Sequence, residues 1–151
     1  MRKTWMIIGI ITLFFIFGQS LIPGHLSAEQ SGFFTQRFQA ILTLFGIQME
    51  LSLLSVLVRK TAHAVEFFIL GLSWAFYIVS TPLKRKITFL VFLGIISATL
   101  DETLQFFVPG RHASFWDVLL DVSFYGLGGW LAFLWISKSD KKKGSPREPL
   151  R

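Results

Sequence analysis

The sequence predicts an all-α integral membrane bundle of four transmembrane helices, with an interfacial helix in the first outer loop. Three observations carry that expectation. Hydrophobic residues make up 52% of the 151-residue chain, including 17 Phe and 5 Trp, and the mean hydropathy of +0.57 exceeds what a water-soluble core requires. Four apolar segments, residues 5–22, 62–80, 87–108 and 114–136, are each close to the ~20 residues that cross ~30 Å of hydrocarbon as helix. Cationic residues fall in short clusters between those segments instead of forming a stripe on one surface, so the formal charge of +6 reads as a topology signal and nucleic acid is not expected as a partner.

Each span must be helical, because only a helix satisfies its own backbone in lipid at these lengths. The first span follows Arg2-Lys3. It also resembles a signal peptide with a cut after Ala28, but its apolar run is long for that role and Leu26 is a poor residue three before the cut. Between the first and second spans, residues 33–58 are too apolar for a solvated loop and are interrupted by Gly46, which suggests an interfacial helix on the outer leaflet. The alternative is an extension of the second span beginning near Gln48. With the N-terminus inside, Arg2, Lys3, Lys84, Arg85, Lys86 and the cations from Lys138 onward are cytoplasmic, and only Arg37, Arg59, Lys60 and Arg111 lie outside. Both termini are therefore expected in the cytoplasm of a multi-pass protein of the cytoplasmic membrane. The membrane domain covers residues 1–136, and residues 137–151 read as a disordered basic cytoplasmic tail.

Ionisable residues gather at one level of the last three spans. Arg59, His63 and Glu66 are spaced i, i+4, i+7; Asp101 and Gln105 are i, i+4; and Ser114, Asp117 and Asp121 are i, i+3, i+7, so each set forms one helical stripe. Glu66 lies about 10 Å inside Arg59, Asp101 about 12 Å before Pro109, and Asp121 about 10 Å past Ser114, counted at 1.5 Å per residue. Lipid repels such stripes, so they are expected to face the bundle or a water-filled cavity. The candidate outer pocket comprises Arg59, Lys60, His63, Glu66, Asp101, Glu102, Gln105, Arg111, Ser114 and Asp117. Glu66, Asp101, Glu102, Asp117 and Asp121 outnumber Arg59, Lys60 and Arg111, which requires a protonated carboxyl, a protonated His or a bound cation.

Structural roles compete for several of these residues. Lys60 can snorkel to the interface, and Arg59, Arg111 and Asp117 can tie helices together. Ser114 fits a helix N-cap, with Asp117 completing a capping box. His63 and Glu66 lack the spacing of two His ligands on one helix, so no metal site is expected, and no cofactor motif occurs. Without Cys, thiolate chemistry and disulfides are excluded. Gly94 with Ala98 and Gly128 with Ala132 are small-residue pairs suited to helix packing. Trp5, Trp116, Trp130 and Trp135 read as interfacial anchors.

Two blocks, Arg59-Lys60-x-x-His63-x-x-Glu66-Phe67 with Leu70-Gly71, and Asp101-Glu102-x-x-Gln105-x-Phe107-x-Pro109-Gly110-Arg111-x-x-Ser114-x-x-Asp117-Val118, resemble the VanZ-like family. The likeness runs from the first span to the fourth. It departs at Asp121, where the family often has Asn, and at Phe124, where Gly is often found and the nearest is Gly126. The resemblance implies a bacterial cell-envelope membrane protein, in some members connected with reduced susceptibility to teicoplanin. The function expected is non-enzymatic binding of a charged headgroup, with membrane lipids as partners and a lipid-linked cell-wall precursor or a lipoglycopeptide as ligand. An enzyme acting on a lipid-linked envelope substrate, with Glu66, Asp101 or Glu102 as acid or base and His63 as proton carrier, is the alternative. Proton-coupled transport fits less well, because no relay continues through the inner half.

Overall fold

The computed structural model describes residues 2–143 and consists of five helices: α1 (Arg2–Ser20), α2 (Gly24–Leu44), α3 (Leu51–Val79), α4 (Lys86–Phe106) and α5 (Phe115–Lys143). Among the described residues there is no strand. α1, α3, α4 and α5 are long and apolar enough to cross a membrane. Their even number puts Arg2 and the C-terminal part of α5 at one end of the bundle, and Ser20, Phe106 and Phe115 at the other.

α3 is the central helix, packed against α1, α2, α4 and α5. Its buried residues Phe67, Leu70, Ala75 and Ile78 form the core with Ile16 of α1, Leu90 and Ala98 of α4, and Tyr125 and Ala132 of α5. Two glycines set the closeness of α3 and α5. A Cβ at Gly71 would overlap the Tyr125 carbonyl, and one at Gly128 would overlap the Phe68 carbonyl, so the helices approach backbone to backbone. Gly94 of α4 lies against the Tyr125 ring in the same way. Outward-facing apolar residues such as Ile11, Phe14, Phe92 and Trp130 remain exposed, which costs nothing when the solvent is lipid.

The helix ends follow from local chemistry. α3 stops before Pro82: the Ser80 and Thr81 hydroxyls donate to the Tyr77 and Ile78 carbonyls (2.6 and 2.7 Å), and Lys86 Nζ donates to the Val79 carbonyl at 2.6 Å. At this end Trp5 stacks on Phe76 (4.5 Å between centroids), Trp135 meets the same ring edge-on (5.4 Å), and Arg2 lies over Tyr77 (5.6 Å). At the opposite end Pro109 follows the close of α4. Gly110, at φ 76°, turns the chain so that the Pro109 carbonyl accepts the Gly24 N–H at 3.0 Å.

Three boundaries differ from the sequence expectation. The helix expected within residues 33–58 is instead α2, which starts at Gly24 behind Pro23 and ends where Gly46 (φ 73°) lets the Ile47 N–H reach back to Leu42 at 3.0 Å. Its polar first half is held by tertiary contacts, including the approach of Ser31 and Ser55 hydroxyls at 3.3 Å, which explains why apolarity alone did not mark it. The second span begins at Leu51, not residue 62, so a separate helix and an extended span both exist. α5 runs on through residues 137–143 of the expected tail, and residues 144–151 lie outside the described residues.

Candidate functional site

The polar stripes converge at the end of the bundle away from the N-terminus. Arg59, Lys60, His63, Glu102, Gln105, Arg111 and Asp117 line one cavity of about 270 Å³, together with His112 and Asp121. Arg59, His63, Arg111 and Glu66 also line a second cavity of about 400 Å³, to whose wall α1 and α2 contribute Phe15, Gln19, Ser31 and Phe34. The two cavities thus share Arg59, His63 and Arg111. Asp101 lies behind Gln105 in the bundle, and Ser114 sits on the far flank beside Glu102.

Asp101 is fully buried and its two oxygens take different donors. The Ser20 hydroxyl donates to Oδ1 at 2.5 Å, and Gln105 Nε2 to Oδ2 at 2.9 Å. Gln105 Nε2 also approaches the Ser20 hydroxyl at 3.3 Å. This buried network ties α1 to α4. Ser20 was not among the sequence candidates, and its only signal was a Gln-Ser pair at the end of an apolar run.

Glu102 and Ser114 start α5. The Ser114 N–H donates to Glu102 Oε2 at 2.8 Å, while the Ser114 hydroxyl accepts the Trp116 N–H at 3.2 Å. The N-cap expectation for Ser114 holds, but the acid that completes it comes from α4 instead of from Asp117. Asp117 is free for another partner and forms an ion pair with Lys60, which ties α3 to α5. Lys60 is accordingly paired, not merely snorkelling. Arg111 forks onto the end of α1, donating from Nη2 to the Gln19 carbonyl at 2.7 Å and from Nε to the Ile22 carbonyl at 3.3 Å. Burial, and after it the like charge of Arg59, pulls its pKa below the ordinary arginine value; a guanidinium nonetheless stays charged.

Other groups have no such partner. Among the described residues no hydrogen bond or ion pair engages Arg59, although it lines both cavities. Asp121 is 2% exposed, lines the first cavity and receives no protein donor among the described residues. His63 Nδ1 and Glu66 Oε2 lie 3.6 Å apart, too far for a hydrogen bond, and each is buried without a partner. Oxygens of Asp101, Glu102 and Asp121 lie within 4.8 Å of one another, the one grouping among the described residues with donor atoms enough to hold a cation. Two of those three acids already accept protein hydrogen bonds.

Five helices, four of them able to span a bilayer, and a polar chamber at the end away from the N-terminus define a multi-pass membrane protein with a buried ionisable site. Within that class the chain belongs to the VanZ/LLP1 family, whose family model matches residues 5–137 and so covers every element of the chamber. The family is linked to glycopeptide resistance. No curated protein and no solved structure matches the chain.

Proposed function

We propose that this protein lies in the bacterial cytoplasmic membrane with both termini cytoplasmic. On this reading its outward-facing chamber binds the charged headgroup of an amphiphile, a lipid-linked cell-wall intermediate or a lipoglycopeptide, and so contributes to teicoplanin resistance without turning the ligand over. The observation that carries the reading is the wall formed by Arg59, His63 and Arg111, with a polar chamber on one side and a groove bounded by exposed Phe15 and Phe34 on the other. An amphiphile needs both: a guanidinium without a protein partner for its anionic group, and an apolar exit for its chain. The orientation rests on the concentration of Lys and Arg at the opposite end. α2, with Phe33, Phe34, Phe38 and Ile41 exposed, then rests at the outer leaflet surface beside the groove.

The test is titration of the protein in nanodiscs with an undecaprenyl-linked wall precursor and, separately, with teicoplanin. Arg59→Gln is expected to weaken binding of at least one of them roughly tenfold or more, the worth of one charge-assisted contact. Equal affinity for both ligands in Arg59→Gln and the native protein would remove the proposal. The unpartnered His63 Nδ1 and Glu66 Oε2 favour a second reading, acid–base catalysis on a lipid-linked substrate. Ser114, the one candidate nucleophile, is occupied as an N-cap. Turnover of the wall precursor that disappears in Glu66→Gln would establish the catalytic reading.

A further inference from the structure

The partner inventory of the chamber specifies its ligand more closely. Of the five acids, Asp117 is paired with Lys60, Asp101 takes two donors and Glu102 one, while Glu66, also without a hydrogen-bond donor, lines the second cavity and not this one. Asp121 takes none, although it is almost wholly buried and lines the cavity that Arg59 also lines. A buried carboxylate without a donor carries a large desolvation cost, which either protonation or a cation in the cavity relieves, and only the cation keeps the charge. On the opposite side of the ledger, Arg59 is a cation without an acid. The vacant valences of this one cavity are therefore one negative and one positive, and an anion alone satisfies only half of them.

We infer that the headgroup bound here is zwitterionic, with a primary ammonium seated on Asp121 beside Glu102 and an anionic group on Arg59. This rests on the reading that the chamber binds the headgroup of an amphiphile. The geometry of the acids suits the ammonium. Oxygens of Asp121 and Glu102 lie within 4.8 Å of each other and both residues line the cavity, so one ammonium can reach both through charge-assisted hydrogen bonds of about 2.8 Å. An ammonium brings three donors, which Asp121 and Glu102 can share. Asp101 and Glu102 already hold protein donors that a metal would have to displace.

The experiment measures binding of lysophosphatidylethanolamine, its N-acetyl derivative and lysophosphatidic acid to the full chain in nanodiscs, with EDTA present. The amine-bearing lipid is expected to bind roughly tenfold or more tightly than the other two, the fold-change of a charge-assisted contact. In Asp121→Asn that preference is expected to vanish, with the amine and its N-acetyl derivative binding alike. If Asp121→Asn does not insert, the comparison of the two lipids on the native chain decides alone. Equal affinity for the amine and its N-acetyl derivative overturns the ammonium seat while leaving headgroup binding in place. A preference seen only when divalent cations replace EDTA assigns the acids to a metal and also overturns it. Failure of all three lipids to bind overturns the inference, while the headgroup reading itself falls only with the wall-precursor and teicoplanin titrations.

Discussion

Replacing Gly71 by Ala probes the contact that sets the spacing of the site. A Cβ there would lie 2.7 Å from the Tyr125 carbonyl carbon and 3.0 Å from its Cα, besides overlapping the oxygen, whereas ordinary contact begins near 3.4 Å. Backbone cannot swing aside as a side chain can, so α3 and α5 must part by about 1 Å or more at this crossing to clear the oxygen. A gap of that size forfeits a quarter to a half of the dispersion attraction of the atoms that face across it. Overpacking of this kind costs ~1–3 kcal/mol. Gly128 makes the reciprocal contact with the Phe68 carbonyl, so once the helices have parted a second Cβ finds room. Gly71→Ala and Gly128→Ala are thus each expected to destabilise by ~1–3 kcal/mol, and together by clearly less than the sum of the two. The assay is reversible unfolding in mixed micelles by SDS titration, followed by tryptophan fluorescence. A Gly71→Ala protein as stable as the native one, or a strictly additive double variant, would refute the close-crossing argument.

Other contacts of the chamber make separate predictions. Ser20→Ala removes a buried donor to Asp101 and is expected to cost ~1–3 kcal/mol in the same titration; Ser20→Thr, which keeps the hydroxyl, should recover part of the loss. Glu102→Ala leaves the Ser114 N–H without its acceptor and is expected to cost ~1–2 kcal/mol, while Glu102→Gln, which retains an acceptor oxygen, should cost less. The Lys60–Asp117 pair has side chains 45% and 27% exposed, so a double-mutant cycle with Lys60→Ala and Asp117→Ala should return a coupling below ~1 kcal/mol. Larger coupling there would mean that the pair is more shielded from water than its exposure indicates.

The fold was legible wherever a single physical rule governs. Four apolar segments of spanning length can only be helices in lipid, and the spacing of Arg59, His63 and Glu66 or of Ser114, Asp117 and Asp121 fixes a shared face whatever the partner. The structure does bring the three stripes to one end of the bundle. The sequence could not assign partners across the chain. Ser20 meets Asp101 across 81 residues, and Arg111 meets Gln19 across 92, through packing that no local pattern encodes. Asp117 had the spacing of a capping box, but the N–H it would have taken faces α4, and Glu102 is nearer. Residues 51–58 are as apolar as the span they precede, so composition allowed an extension from near Gln48 as readily as an interfacial helix, and α3 begins at Leu51. Asp121 stood out on its stripe, but its lack of a donor is a property of the folded chamber alone.

The account depends on the stripes of α3, α4 and α5 opening into one water-accessible chamber at the end of the bundle away from the N-terminus. Because the chain has no Cys, single Cys residues placed at His63, Asp121 and Leu83 can be compared directly with a membrane-impermeant maleimide applied from either side of oriented vesicles. His63→Cys and Asp121→Cys are expected to label from one face and Leu83→Cys only from the other. Labelling of Asp121→Cys from the Leu83 face, or from neither face while His63→Cys reacts, would show that no common chamber exists.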